Sequence, residues 1–188
     1  MRLLTILILT LSFQSFAKAD DIRDFEIEGI SIGDSLLNFT SEEKIKSIKA
    51  INQYPNDKFI IYNLDKLIKT TKYSQLSVTT KKNDKKYIIS SLSGSIYYKN
   101  LNECLKNRKL IRSNVEKLID YDDFEKTKYK SQDGKSTIHG VQFYLKPYPS
   151  VEAIVLNCKE YFKSGEDIRL SIAVNPEKYA YFLINEAY

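Results

Sequence analysis

The fold is decided by residues 101–119, which read LNECLKNRKLIRSNVEKLI. Asn100 and Glu103 stand just before and within this stretch at the spacing of a helix cap. At 100° per residue, one helix face carries the apolar side chains of Leu101, Cys104, Leu105, Ile111, Val115, Leu118 and Ile119. Leu110 lies on the opposite side and is expected on the surface. The stretch therefore predicts a long helix with one buried face.

Strand patterns lie on both sides of this helix. Before it, extended segments are expected at residues 59–64, 74–82 and 85–98. After it, they are expected at residues 125–131, 137–145, 151–162 and 168–174. In the first group, Asn83-Asp84 is expected to close a tight hairpin, and Gly94 to mark a bulge. The sequence therefore predicts an α+β fold, with mainly antiparallel sheet and the long helix packed on one face.

Shorter helical segments are expected near both ends of the domain. A helical turn at residues 34–39 leads to a helix that Thr40 and Glu43 would open as a capping box. The last helix would have Asn175 as its cap and Pro176 at its first position, where the missing N–H does no harm.

Residues 1–19 have the three-part pattern of a signal peptide. Arg2 supplies the positive start, residues 3–13 are an apolar run, and Ala17-Lys18-Ala19 is a cleavage site. The apolar run is far shorter than the ~20 residues that span a bilayer. No cysteine stands at the cleavage point to carry a lipid, so no lipid anchor and no membrane span are expected. We expect residues 20–188 to form a single periplasmic domain.

The composition narrows the classes of partner. The chain has 188 residues, of which 43% are hydrophobic and 28% charged, which is typical of a globular domain. Without Arg2 and Lys18 of the leader, 27 Lys and Arg oppose 24 Asp and Glu, a net charge of +3. Such a small excess does not make the field that nucleic acid binding needs, so nucleic acid is excluded as a partner.

We interpret two clusters of charged residues as solvated surface features and not as binding sites. The run KKNDKK at residues 81–86 could attract an anionic partner, but we interpret it as a solvated hairpin tip whose lysines block strand pairing. The carboxylates of Asp120, Asp122 and Asp123 could bind a hard cation, but they lack the glycine and terminal glutamate of a calcium loop. We interpret them as a solvated helix end.

The two cysteines give the clearest chemical signal. In an oxidising compartment an even number of cysteines indicates a bridge, and Cys104 with Cys158 is the one internal pairing available. Cys104 lies on the apolar helix face, and Cys158 shares a strand face with Ile154 and Leu156. Both side chains are therefore expected at one interface between helix and sheet, which predicts a structural disulfide.

His139 is the only histidine, so any Ser-His-Asp, Cys-His or histidine-containing metal site must use it. It shares a strand face with Val141, Phe143 and Leu145, and no G-x-S-x-G or H-E-x-x-H motif occurs. We interpret His139 as a partly buried, hydrogen-bonded histidine. No catalytic residue, cofactor site or metal site is predicted.

Several segments carry a resemblance to a known family. The opening FEIEGISIGDSLL at residues 25–37, NDKKY at 83–87, and the closing NEAY at 185–188 resemble an uncharacterised family of exported, periplasmic proteins from small-genome marine alphaproteobacteria. Glu103-Cys104 and Cys158 also match it. The resemblance implies a periplasmic location and the disulfide, and it implies no catalytic residue.

Three functions stay open on these grounds. The favoured one is a non-enzymatic binding or interaction module for a periplasmic or envelope protein or a small ligand, contacted through an edge strand or an open sheet face. The second is a periplasmic hydrolase with a carboxylate-based site. The third is an inhibitor of a cell-wall-degrading enzyme. The first is favoured because the sequence holds no catalytic motif.

We predict that the exported protein begins at Asp20, because the leader pattern ends at Ala19. Intact-mass measurement of the protein recovered from the exported fraction should give the mass of residues 20–188. An exported protein that still retained Arg2 would contradict the prediction.

Overall fold

The computed structural model describes residues 21–51, 54–65, 67–131, 134–163 and 167–187, so the leader and its cleavage site lie outside the described residues. The strands are β1 (Phe59–Asn63), β2 (Gln75–Lys81), β3 (Ile89–Tyr98), β4 (Asp123–Lys130), β5 (Ser136–Tyr144), β6 (Ala153–Tyr161) and β7 (Ile168–Asn175). The α-helices are α1 (Glu42–Ser47), α2 (Leu101–Leu118) and α3 (Glu177–Asn185). Short 3-10 turns occupy Ile22–Asp24 and Leu36–Asn38.

The seven strands form a single sheet in the order β1-β2-β3-β7-β6-β5-β4. Every neighbouring pair is antiparallel. Two meanders, β1 to β3 and β4 to β7, are joined by α2 and meet where β3 pairs with β7. The expected α+β class, with a long helix on a mainly antiparallel sheet, is confirmed.

One face of the sheet holds the main core. Its buried side chains include Leu76, Val78, Leu92, Ile154, Leu156, Ile172 and Val174. The helix α2 packs on this face against β3, β6 and β7. The segment before α1 also covers it, through buried residues such as Ile30 and Leu36. No described helix is long and apolar enough to cross a membrane.

The predicted disulfide is confirmed. Cys104 in the first turn of α2 and Cys158 of β6 are both fully buried and bonded, with their Cα atoms 6.0 Å apart. Leu170 of β7 packs in the same cluster. The bridge therefore fixes the start of α2 to the middle of the sheet.

The C-terminal helix α3 lies on the opposite face. Tyr179 and Phe182 of α3 pack on Phe59 of β1, with ring centroids 5.1 Å and 4.7 Å apart. Tyr54 joins this second, smaller core, its ring centroid 5.1 Å from that of Phe182. The helices α2 and α3 therefore pack on opposite faces of the sheet.

Two helices begin one residue later than the sequence predicted. Ser41 caps α1, its hydroxyl accepting from the Lys44 N–H at 3.4 Å, while the buried Thr40 hydroxyl oxygen has no hydrogen-bond partner among the described residues. Pro176 is the cap position of α3, because Asn175 still belongs to β7 and its amide oxygen accepts from the Ser91 hydroxyl.

The link between β2 and β3 also differs from expectation. It spans residues 82–88 rather than a two-residue turn, because the Asp84 carboxylate accepts from the N–H groups of Lys86 and Ile88 and holds an open loop. Both strands are interior, so the lysines of residues 81–86 do not protect a sheet edge. They are nevertheless exposed, as a solvated loop should be.

Gly94 does not mark a bulge. It pairs regularly with Leu76 and Ile172, and the irregularity lies between Thr79 and Thr80 of β2. A Cβ atom on Gly94 would approach the Tyr73 ring to 2.5 Å, so the position of the ring requires glycine there.

The exposure of two leucines of α2 can be compared with the sequence prediction. Leu110 is 57% exposed, as expected. Leu118 is also 57% exposed, although it falls on the apolar face of the helix and was expected in the core.

We predict that removing the bridge lowers the free energy of unfolding by about 2–5 kcal/mol, because the unfolded chain regains the entropy that the cross-link removes. The test compares urea denaturation of the oxidised parent with that of Cys104→Ala/Cys158→Ala. Leu110→Ala, on the exposed side of α2, is the control and should unfold like the parent. Equal midpoints for the parent and the double variant would contradict the prediction.

Candidate ligand groove

The sheet face opposite α2 carries small polar side chains in register. Ser95 of β3 lies opposite Gln75 of β2 and Ser171 of β7, and Ser171 lies opposite Asn157 of β6. The adjacent row contains Asn63, Ser77, Ser93, Ala173 and Val155. Side chains alternate between the faces of a strand, so strands that bury leucine and valine under α2 present serine on the other side.

α3 turns this polar face into a groove. Tyr179 and Leu183 stand beside the serines and, with Tyr54, wall a cavity of about 360 Å³. We call the space bounded by Ser93, Ser95, Ser171, Arg169 and Tyr179 the serine groove. Its floor is β3 and β7, and its wall is α3.

Hydroxyl groups hold the wall to β2 and to Tyr54 beside it. The hydroxyls of Tyr54 and Tyr179 lie 2.7 Å apart, and the Thr79 hydroxyl donates to the Tyr179 hydroxyl at 3.4 Å. All three residues are buried. The wall is therefore positioned by specific hydrogen bonds as well as by the aromatic cluster behind it.

The start of α3 is fixed by a carboxylate. Glu177 accepts from the Ser150 hydroxyl and from the N–H groups of Val151 and Glu152. The hydrogen bond from Ser150, helped by the two N–H groups, holds the pKa of the Glu177 carboxyl below its ordinary value. Glu177 is thus charged at neutral pH and ties the helix to the loop before β6.

The serines of this sheet face fall into two groups. The Ser77 hydroxyl donates to Asn63 at 2.7 Å, and the Ser91 hydroxyl donates to Asn175 at 3.0 Å. The hydroxyls of Ser93, Ser95 and Ser171 form no side-chain hydrogen bond within the described parts of the chain. Each of these can donate and accept, so the floor presents a cluster of hydroxyls with unused hydrogen-bonding capacity.

Arg169 lies at one end of the groove. Its Nε atom is buried and has no hydrogen-bond partner among the described residues. Arg169 is the only charged residue among those described that line the cavity. On the neighbouring strands it faces Tyr97 and Lys159. The groove therefore combines neutral hydroxyls with one permanent positive charge.

The residues that the sequence singled out lie elsewhere. His139 pairs with Cys158 and therefore points to the α2 face, where its Nε2 lies 3.2 Å from Glu160 Oε2 and its side chain is 15% exposed. The Arg108 guanidinium donates to the backbone carbonyl of His139. The expected partly buried, hydrogen-bonded histidine is confirmed.

The acidic cluster does not reach the groove. Asp123 accepts from the N–H of Phe124 at the start of β4, and neither Asp120 nor Asp122 lines the cavity. Across the described ranges, no group of three or more His, Cys, Asp and Glu side chains could hold a metal ion.

Two larger clefts, of about 660 and 580 Å³, lie between α3 and the loop after β2. Charged side chains line both clefts, and some of them form ion pairs: Lys58 pairs with Glu186 and Lys82 pairs with Asp57, whereas Lys81 and Lys178 have no ion pair among the described residues. The serine groove is smaller, but among the described residues the hydroxyls of Ser93, Ser95 and Ser171 and the Nε of Arg169 have no side-chain hydrogen bond. We therefore regard the serine groove as the better candidate site despite its size.

Sequence reasoning missed this site. The signal available was the alternation of Ser91, Ser93 and Ser95 along β3, which places three hydroxyls on one strand face. No protein-family model, curated protein or solved structure matches the chain.

We predict that Tyr179→Phe lowers the free energy of unfolding by about 1–2 kcal/mol, because it leaves the buried hydroxyls of Tyr54 and Thr79 without this partner while keeping the ring. Tyr181→Phe is the matched control, since Tyr181 is on the same helix and 54% exposed. Urea denaturation should separate the two variants. Equal midpoints would show that the hydroxyl contacts do not hold the wall.

Proposed function

We propose that this chain is an exported, non-enzymatic binding protein that holds a small hydroxylated ligand in the serine groove. The observation that carries the proposal is the cluster of Ser93, Ser95 and Ser171, whose hydroxyls have no side-chain hydrogen bond in the described chain. When a ligand with several hydroxyl groups displaces solvent from these serines, each hydrogen bond that a serine loses to water can be replaced by one to the ligand.

The size and stiffness of the groove favour a small ligand. A volume of about 360 Å³ lies near the lower end of the ~300–1,000 Å³ range of small-molecule sites. The floor is made of interior strands paired on both sides. A floor that is already ordered loses little entropy on binding, which favours affinity for a ligand that fits. A monosaccharide, a sugar acid or a similar polyol has the required size and chemistry.

Binding is favoured over catalysis by the groups that line the groove. General acid–base chemistry needs a group that exchanges a proton near neutral pH, such as a carboxylate or a histidine. The described lining contains neither a carboxylate nor a histidine. The side chain of His139 lies on the opposite face of the sheet, under α2. The carboxylate-based hydrolase therefore has less support than the binding protein.

The exported location is part of the proposal. The leader pattern at residues 1–19 and the resemblance described above support it. The Cys104–Cys158 disulfide also supports it, because such bridges persist in oxidising compartments.

We predict that the mature protein, residues 20–188, binds at least one member of a panel of neutral sugars, sugar acids and sugar alcohols. Isothermal titration calorimetry measures the affinity, and a ligand-dependent rise in melting temperature checks that the folded protein is bound. The variant Ser93→Ala/Ser95→Ala/Ser171→Ala should bind at least tenfold more weakly, because each lost hydrogen bond is worth about 0.5–1.5 kcal/mol.

The matched control is Ser77→Ala, which removes a hydroxyl of the same face that is already bonded to Asn63. It should retain affinity within about threefold, since its net contribution to binding is a fraction of one hydrogen bond. No binding by any panel member would contradict the proposal, and so would equal affinity of the triple variant and the parent.

A further inference from the structure

We infer that the ligand of the serine groove carries a carboxylate, which Arg169 receives. The inference rests on the proposed function and names the class of ligand: a sugar acid or hydroxy acid. The Nε of Arg169 is buried and has no hydrogen-bond partner in the described chain. A guanidinium stays charged at any physiological pH and can only donate, and Arg169 lines the cavity, so the group that complements it there is an acceptor.

The described residues of the surrounding strands do not supply that acceptor. On β3, the Tyr97 hydroxyl donates to Gln75 at 2.9 Å. On β6, the register partner is Lys159, another cation, whose ammonium lies 4.9 Å from the centre of the Tyr161 ring. Asp167, two residues before Arg169, is held by Lys99 at 2.7 Å. Arg169 therefore faces the groove without a described counter-ion.

The charge of the groove favours a carboxylate over a phosphate. Among the described lining residues Arg169 supplies a single positive charge, which a carboxylate balances. A phosphate near neutral pH carries more charge and is held in proteins by several cations or by free backbone N–H groups. The backbone of β3 and β7 is engaged in the ladder and faces the neighbouring strands, so the floor offers side-chain hydroxyls in place of N–H groups.

The spacing of the floor fits one ligand that uses both kinds of group. Arg169 and Ser171 are two residues apart on β7, so their side chains leave the same face roughly 7 Å apart. Ser95 lies opposite Ser171 on β3. A carboxylate at Arg169 therefore places hydroxyl groups a few bonds away over Ser171 and Ser95, as in a six-carbon sugar acid.

The experiment measures affinities of the mature protein for matched pairs of probes by calorimetry. Glucuronate is compared with glucose, galacturonate with galactose, and gluconate with sorbitol, and glucose 6-phosphate is a separate arm. At least one acid should bind tenfold or more tightly than its neutral counterpart. Its methyl ester or, for gluconate, its amide should lose that advantage, and added salt should reduce it.

Variants assign the preference to Arg169. Arg169→Gln should bring the acid down to the affinity of the neutral sugar, and Arg169→Lys should keep part of the preference, because it keeps the charge but loses the planar fork. Lys159→Gln is the matched control, with the same loss of charge on the same face of the adjacent strand. It should leave at least a fivefold preference. Urea midpoints confirm that each variant is folded, and the ester and amide probes test the inference on the parent protein.

The outcomes separate the two proposals. Neutral sugars that bind as tightly as the acids would overturn the carboxylate inference and leave the binding function standing. So would tighter binding of glucose 6-phosphate than of every acid, or an acid preference that survives Arg169→Gln. If no probe binds, the proposed function fails and the inference fails with it.

Discussion

The pairing of β3 with β7 is the constraint on which the rest of the structure depends. It joins the two meanders into one sheet, from Leu92 opposite Val174 to Tyr98 opposite Ile168. The same register sets Ser95 against Ser171 on the other face. A slip of one residue in either strand would exchange its faces, placing serines under α2 and leucine in the groove. The core and the candidate site are therefore specified by one set of hydrogen bonds.

The path of α2 follows from this arrangement. The chain leaves β3 near the middle of the sheet and begins β4 at its far edge, so the connection must pass over β7, β6 and β5. A helix with one apolar face makes that crossing while burying the strands beneath it. Cys104 and Cys158 fix the helix near its beginning, where it has just left β3. The edge strand β4 carries lysines at 126, 128 and 130, which discourage pairing with another chain.

Much of this fold follows from the sequence, because periodicity reports directly which side chains are buried. The helix α2, the seven strands and the disulfide were predicted on that basis. The caps of α1 and α3 were misplaced by one residue, since Thr40 and Ser41, or Asn175 and Pro176, offer adjacent starts that local pattern does not separate. The exposure of Leu118 could not be read from its helix position alone, because it depends on where the sheet beneath α2 ends.

The candidate site was hidden for a different reason. Alternating serines on a strand have the pattern of an ordinary solvated face, and a lone arginine has that of a surface charge. What distinguishes them is the register that aligns β3 with β7, and the packing of α3 on the same face beside them. Both depend on strand order and on contacts distant in sequence. Those contacts bring Ser93, Ser95, Ser171 and Arg169 together in one groove.

The groove is built from parts of unequal stiffness. Its floor belongs to interior strands, which open to solvent rarely, whereas its wall is a nine-residue helix at the sheet margin. Under the proposed function, a floor that does not adapt would reject molecules whose hydroxyls do not match the spacing of its serines, so it would determine which ligand is held. The wall is held by side-chain contacts and not by the strand ladder, so under the proposed function it is the element whose displacement would set how fast a ligand enters and leaves. Under the proposed function, selectivity and residence time would therefore depend on different elements of the chain.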